Sequence, residues 1–305
     1  MSTVAEPNRT APDSVRAMTV QGSASTVAIV TDSTAGLPDE VVAEHDIYVV
    51  PLQVVVGARA LDEGGDVTRD TVAAALGSFE AVSTSRPAPE SFAAVYRQAT
   101  AAGARAIVSV HLSSQVSGTY DSAVAAAVDA GVDVEVVDSA QIGLATGFAV
   151  LAAVKARAQG ADAAGIAAAA CARADACASY FYVDTLEYLR RGGRVGAAAA
   201  LFGAALAVKP LLTVRDGKVE PLEKVRTAAR ALARIEELAV EAAGTGVVDV
   251  GVQHLSAKPR AAQLASRLRD RLPRAELVWE REVGAVIAAH VGPGAVAVVV
   301  SPHVD

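Results

Sequence analysis

The chain has 305 residues, of which 52% are hydrophobic and 20% are charged, and its formal net charge is −7. This length allows one large α/β domain or two smaller ones, and the acidic balance argues against a nucleic-acid partner bound through its phosphates. No apolar run is long enough to span a membrane, and the polar composition of residues 1–25 predicts a disordered leader, not a signal peptide. We therefore expect a cytoplasmic protein.

Short β-branched runs alternate with longer helical patterns in the first half of the chain. This alternation predicts a mostly parallel sheet flanked by helices on both faces. The predicted strands are 27–31, an extended stretch 47–56 that is broken by Pro51, 106–111 and 134–137. The predicted helices are 70–76, 89–101, 118–129 and 144–158.

The second half adds a hairpin signal, because Asp216-Gly217 separates two runs with strand character. A hairpin attached to α/β units predicts a C-terminal α/β domain with a mixed sheet. We place the N-terminal α/β domain at 26–175 and the C-terminal domain at 176–305. The further predicted elements are helices 161–177, 195–202, 227–243 and 259–272 and strands 180–183, 211–214, 218–221, 247–254 and 295–300.

Three polar clusters are candidates for a ligand site, and two of them, 32–34 and 113–119, follow predicted strands, where open α/β sheets bind their ligands. Residues 32–34 (Asp-Ser-Thr) are explained at least as well by a helix cap. The hydroxyls of 83–85 either donate to an anion or cap the next helix. The loop 113–119 opens a helix whose free N–H groups favour an anion. Since the loop lacks a GxxxxGK[ST] pattern, a single carboxylate or phosphate fits better than a nucleotide.

A Gly-rich turn and a histidine complete the candidate residues. The turn at 190–194 offers the planar guanidinium of Arg194 to a carboxylate or phosphate, although charged Gly-rich segments are usually solvated turns. His290 precedes a tight turn, and a lone histidine is more often structural than catalytic. The sequence contains no GxSxG, HExxH or post-strand GxGxxG motif, so no known catalytic machinery is indicated.

Taken together, these segments resemble the DegV family of fatty-acid-binding proteins. The match rests on several motifs that occur in the family's order. The matching segments are 27–34, 84–87, 113–120, 136–139, 192–195, 208–212 and 290–294.

The resemblance implies a two-domain α/β fold that buries a long-chain fatty acid in an apolar tunnel and catalyses nothing by itself. It implies no cofactor, no metal and no stable membrane insertion. It also implies a possible fatty acid kinase subunit as partner, which phosphorylates the bound carboxylate to an acyl phosphate. The ligand-binding residues carried over from the family's motifs are Thr84, Ser85, Ser117, Gly118, Arg194 and His290.

One residue departs from the family's pattern. Arg86 stands where the family commonly has glutamine after the Thr-Ser pair. An extra cation there either tightens carboxylate binding, marks a different head group or faces solvent, and we expect the last.

Two other functions stay open. The first is an enzyme or phosphotransfer subunit for a small hydroxylated substrate, related by fold to dihydroxyacetone kinase subunits, for which His290 would be the reactive group. The second is a structural or interaction protein with a vestigial site, which predicts a small or collapsed cavity. The sequence specifies neither the preferred acyl chain nor the oligomeric state.

Overall fold

The computed structural model describes residues 26–65, 67–78, 81–201 and 209–304. The predicted leader 1–25 lies outside the described residues, as do Phe202 and Val208. The strands are β1 Val27–Asp32, β2 Ile47–Val50, β3 Gln53–Val56, β4 Arg59–Asp62, β5 Val82–Ser85, β6 Ala106–His111, β7 Asp133–Asp138, β8 Ala178–Tyr182, β9 Lys209–Arg215, β10 Lys218–Val225, β11 Val248–His254, β12 Ala275–Glu282 and β13 Val296–Pro302. The helices are α1 Asp39–Glu44, α2 Arg69–Gly77, α3 Pro89–Ala101, α4 Thr119–Ala127, α5 Leu144–Ala158, α6 Ala163–Ala176, α7 Glu187–Arg191, α8 Ala228–Ala243, α9 Lys258–Arg271 and α10 Ala285–Val291.

The first half of the chain forms a four-stranded parallel sheet with the order β2-β1-β6-β7. Its central strand β1 is buried along its whole length because both of its faces are covered by helices. One face packs on α3 and α4 through Phe92 and Tyr96, and the other packs on α5 and α6 through Val150 and Ile166. The predicted parallel sheet is therefore confirmed.

A six-stranded mixed sheet with the order β10-β9-β8-β13-β11-β12 follows in the second half. The β9–β10 hairpin turns at Asp216 and Gly217, whose φ angles of 48° and 75° are the positive values that a two-residue hairpin turn requires. Along β13, Val296 and Val298 pack in the core beneath α8 and α9. The alternating residue Ala297 lines an interior cavity on the opposite face. The mixed α/β prediction is confirmed.

A third, three-stranded antiparallel sheet with the order β4-β3-β5 was not predicted. The break expected at Pro51 within the extended stretch 47–56 is confirmed, and the chain changes sheets there. Before it, β2 pairs with β1, and after it, β3 pairs with β4 and β5. Proline has no N–H to continue a ladder, which suits the break. This small sheet places Thr84 opposite Val54 and near the second half of the chain.

Other differences are smaller. The predicted helix at 195–202 is a 3₁₀ helix over Gly196–Leu201 in the described residues. Besides β4 and β5 of the small sheet, the helices α1, α7 and α10 and the strand β12 were not predicted. The chain passes from the parallel to the mixed sheet between α6 and β8, near the expected domain boundary at residue 175, and that boundary stays a prediction. Within the described residues, no helix combines the length and apolarity needed to cross a bilayer.

Candidate functional site

An interior cavity lies where the three sheets meet. Its internal volume is about 130 Å³, and the space between its lining atoms, including the part open to solvent, is about 1060 Å³. Its walls are mainly aliphatic, and no Asp or Glu of the described residues lines it. Such an apolar pocket with few polar groups is typical of a site for a small organic ligand. The apolar lining is Leu52, Leu112, Val116, Ile142, Phe181, Leu189, Val214, Val219, Val283, Val286, Ile287, Val291, Ala295, Val296, Ala297 and Val299.

The hydroxyl of Thr84 and the imidazole of His290 meet in the cavity wall. Thr84 Oγ1 lies 2.8 Å from His290 Nε2, although the two residues are 206 positions apart in sequence. Thr84 is held by β5, and His290 by the last turn of α10. His290 Nδ1 is buried and has no hydrogen-bond partner among the described residues.

His290 is neutral at physiological pH. Burial, and to a smaller extent the nearby positive charge of Arg194, together lower the pKa of His290 to about 4. A neutral imidazole carries a hydrogen on only one of its two ring nitrogens, Nδ1 or Nε2. With the hydrogen on Nε2, His290 donates to Thr84 Oγ1, and Nδ1 carries no buried N–H that would lack an acceptor. The Thr84 O–H is then free to donate to a ligand.

The depressed pKa of His290 predicts a pH-dependent stability. The unfolded chain takes up a proton near pH 6.5 and the folded chain only near pH 4, so stability from this group is complete above 6.5 and is lost as the pH falls. We expect a loss of about 2 kcal/mol in the free energy of unfolding between pH 7 and pH 5. Urea unfolding of wild type and His290→Gln at both pH values measures it, and equal pH dependence in the two proteins would contradict the prediction.

Arg194 joins the Gly-rich turn to the loop before α4. Its Nε donates to the carbonyl of Val116 at 3.0 Å, and its Nη1 donates to the carbonyl of Gly192 at 2.5 Å. These two bonds fix the plane of the guanidinium at the cavity wall. The structure gives Nη2 no acceptor among the described residues, and no described carboxylate pairs with this cation. Arg194 is therefore a cation held in place with donor capacity to spare.

Ser117 directly follows Val116, in the loop that the Arg194 bond holds. Its hydroxyl is half-buried, lines the cavity and lies 2.8 Å from Thr119 Oγ1. Gly118, the next residue, is the N-cap of α4 and does not line the cavity. Nothing in the described side chains caps this helix end, so its first N–H groups stay available.

Ser85, the last of the candidate residues, and its neighbour Arg86 lie at the exposed rim of the cavity. Ser85 lines the cavity mouth, and its hydroxyl donates to the carbonyl of Arg86 at 3.2 Å. Arg86 is exposed overall, as expected, but its side chain also lies against Gly118 and lines the cavity. The expectation that it only faces solvent was therefore incomplete.

Asp32 and Ser33 have structural roles at the end of β1, whereas Thr34 also lines the cavity. The Asp32 carboxylate accepts from the Thr34 N–H at 3.0 Å, which confirms the capping interpretation. The same side chain is fully buried and accepts from the Leu112 N–H, and it lies 3.0 Å from His111 Nδ1. His111 Nε2 lies 2.7 Å from Ser109 Oγ. Burial of all three residues closes this Ser-His-Asp series to any substrate.

Sequence comparison and structure comparison agree on the family. A family model described as "Uncharacterised protein, DegV family" matches residues 26–303. The chain belongs to the DegV family. A DegV domain-containing protein of Streptomyces coelicolor is 54% identical over 275 residues, which cover 90% of this chain and 98% of the relative.

Two solved DegV structures share the fold. A fatty-acid-binding DegV family protein from Thermus thermophilus superposes with a TM-score of 0.86 at 30% identity, covering 91% of this chain and 99% of that one. DegV from Bacillus subtilis, a fatty acid binding protein, gives a TM-score of 0.82 at 34% identity, with 91% and 99% covered. The resemblance to the DegV family and the mixed α/β architecture are thereby confirmed.

Sequence reasoning missed the apolar wall that these polar groups adjoin. The aliphatic residues of α10, such as Val286 and Ile287, line the cavity but carry no motif. A short apolar run looks the same in a solid core as at a ligand site, so hydrophobic pattern alone does not separate the two.

Proposed function

We propose that this protein binds a single long-chain fatty acid, with the tail in the cavity and the carboxylate held by Thr84, Ser117, His290 and Arg194. The observation that carries the proposal is the cavity itself. It combines aliphatic walls with a fixed guanidinium and has no lining carboxylate among the described residues. The fatty-acid binding of the DegV proteins from Thermus thermophilus and Bacillus subtilis supports it.

Contacts connect the polar residues of the site one after another. Thr84 lies on His290, the charge of Arg194 acts on His290, and Arg194 donates to Val116 next to Ser117. A carboxylate has two oxygens and accepts several hydrogen bonds, each worth roughly 1.5–3 kcal/mol when one partner is charged. Two hydroxyls and one arginine meet that need without a metal or cofactor.

Tail burial supplies most of the affinity. Each buried methylene contributes about 0.8 kcal/mol, so about 14 methylenes contribute on the order of 10 kcal/mol before the entropy costs of binding. Such a ligand needs a dry channel and no reactive group. The hypothesis of a vestigial site predicts a small or collapsed cavity, and the mainly aliphatic walls beside a fixed guanidinium favour a lipid site over it.

We further propose that the protein presents the bound carboxylate to a partner kinase for acyl phosphate formation. Ser85 and Arg86, which are exposed, lie at the same rim as Thr84, so the proposed head group faces the surface while the tail stays buried. Catalysis by the chain alone has less support. His290, the histidine that contacts Thr84, is neutral, and its Nδ1 has no hydrogen-bond partner among the described residues. General acid-base catalysis needs a group tuned near neutral pH.

Lipid mass spectrometry on denatured protein tests fatty-acid binding directly. We expect one acyl chain per polypeptide, or stoichiometric uptake of added palmitate by delipidated protein. Failure of both would contradict the proposal. Incubation with ATP and a fatty acid kinase subunit should yield acyl phosphate only when both proteins are present. Turnover of a small hydroxylated substrate that His290→Ala abolishes would instead favour the enzyme alternative.

Arg194→Ala is expected to weaken palmitate binding about 10- to 150-fold, because it removes a charge-assisted bond worth roughly 1.5–3 kcal/mol. Isothermal titration with palmitate and with its methyl ester separates head-group recognition from fold damage. The uncharged ester should bind both proteins equally. Arg191→Ala, which removes an exposed neighbouring cation paired with Glu187, is the matched control. An equal loss for acid and ester would show that Arg194 only holds the loops.

A further inference from the structure

Arg86 adds a second guanidinium to the rim of the cavity. It directly follows β5, in which successive side chains point to opposite sides, so Arg86 and Thr84 share a side. Pro87 follows, and a residue before proline is held extended. Thr84 faces His290 at the cavity wall, and the local chain geometry therefore directs Arg86 toward the same region.

The Arg86 side chain covers the start of α4. A Cβ at Gly118 would overlap with the Arg86 guanidinium, so this arginine fills the space that any larger residue would take. Arg194 contacts the same loop through its bond to the carbonyl of Val116. Ser117 therefore stands in sequence between Val116, which accepts from Arg194, and Gly118, against which Arg86 lies. These residues precede a nine-residue helix whose N-terminal N–H groups carry partial positive charge.

The charge at this rim exceeds what one carboxylate requires. Both cavity-lining cations are arginines, His290 is neutral, and the described lining contains no Asp or Glu. Neither Arg86 nor Arg194 forms an ion pair with a carboxylate of the described chain. A monocarboxylate leaves one positive charge without a counter-charge, whereas a dianion balances both.

We propose that Arg86 is a specificity-determining residue that makes the site prefer a long-chain amphiphile with a dianionic phosphate-monoester head group over the corresponding carboxylate. The inference rests on the proposed tail-binding function. Arginine matches phosphate through its planar fork of donors, and three phosphate oxygens offer acceptors to both guanidiniums and to Ser117. The tail lies in the same cavity for either head group.

Competition titration against a fluorescent fatty acid at pH 8 tests the proposal with hexadecyl phosphate and palmitate, which share a 16-carbon chain. The phosphate is a dianion there, since its second pKa is near 6. Wild type should bind the phosphate about tenfold more tightly than palmitate, the change expected from one charge-assisted bond. Arg86→Gln should lose most of that preference and change palmitate affinity less than about threefold, while Arg97→Gln, an exposed arginine outside the cavity lining, should keep it.

The possible outcomes separate this inference from the proposed function. Equal binding of the two amphiphiles by wild type, or an unchanged preference in Arg86→Gln, would overturn the role of Arg86 while leaving tail binding intact. A loss of preference in Arg97→Gln equal to that in Arg86→Gln would show a diffuse charge effect and also overturn it. Binding of neither amphiphile by wild type would contradict the proposed function itself. Circular dichroism of each variant establishes that it is folded.

Discussion

Ala297→Phe is expected to lower the affinity for palmitate about 1000-fold. Ala297 lies on β13, opposite Phe181 of β8, and its side chain lines the cavity. Phenylalanine adds six carbon atoms there and displaces about five or six methylenes of the tail. At about 0.8 kcal/mol for each methylene, the loss is roughly 4–5 kcal/mol, or about three orders of magnitude.

A chain-length series tests this result most sharply. If the tail occupies the space beside Ala297, the variant should lose most affinity for acids of 16 or 18 carbons and little for an acid of 8 or 10 carbons. Ala125→Phe, which adds the same ring to an exposed position of α4, is the control for general hydrophobic effects. Equal losses at all chain lengths would contradict this placement of the tail, as would unchanged palmitate binding by a folded Ala297→Phe protein.

Local signals predicted much of the fold. The strands 106–111 and 27–31 and the helices 89–101 and 144–158 were recognisable because their length, β-branched content or helical pattern is contained within each segment. The Asp216-Gly217 turn was equally local, since two residues with positive φ determine the hairpin. The two strands form the centre of the parallel sheet, the two helices cover it, and the hairpin lies at one edge of the mixed sheet.

The missed elements depend on distant contacts. β12 is an edge strand with charged residues such as Glu280 and Arg281, so it lacks the apolar run of a buried strand. The helix α10 is only seven residues long, and its Val286 N–H donates to Glu63 Oε1 at 2.9 Å, which lies 223 positions earlier. No sequence window around α10 contains that contact. Tertiary contacts rather than propensity therefore specify this helix.

The candidate site shows the same division. Motifs identified Thr84, Ser117, Arg194 and His290 one by one, and the structure brings them to one cavity wall through contacts such as the Thr84–His290 bond. Their role in ligand binding stays a prediction. Residue types alone did not place Arg86 against Gly118, because that contact depends on how the small sheet meets the loop before α4.

Arg173→Ala is expected to destabilise the protein by about 3–5 kcal/mol, the cost of leaving one member of a buried ion pair without its partner. Arg173 on α6 donates to Asp249 on β11 at 2.5 Å and to Ser301 on β13 at 2.6 Å. Both charged side chains are less than a tenth exposed. His303 and the Leu277 N–H still contact Asp249 in the variant, which favours the lower end of this range.

Urea unfolding distinguishes the loss of the pair from the burial of an unpaired charge. As a control, Arg190→Ala, which removes an exposed ion pair with Glu187, should change the unfolding midpoint little, because solvent screens that pair. The double variant Arg173→Ala/Asp249→Ala should lose less free energy of unfolding than the two single variants lose in sum, since it buries no unpaired charge of this pair. Additive losses would mean that the pair contributes no coupling between α6 and the mixed sheet. A positive coupling would make this ion pair a link between the helical layer of the parallel sheet and the sheet that forms part of the cavity wall.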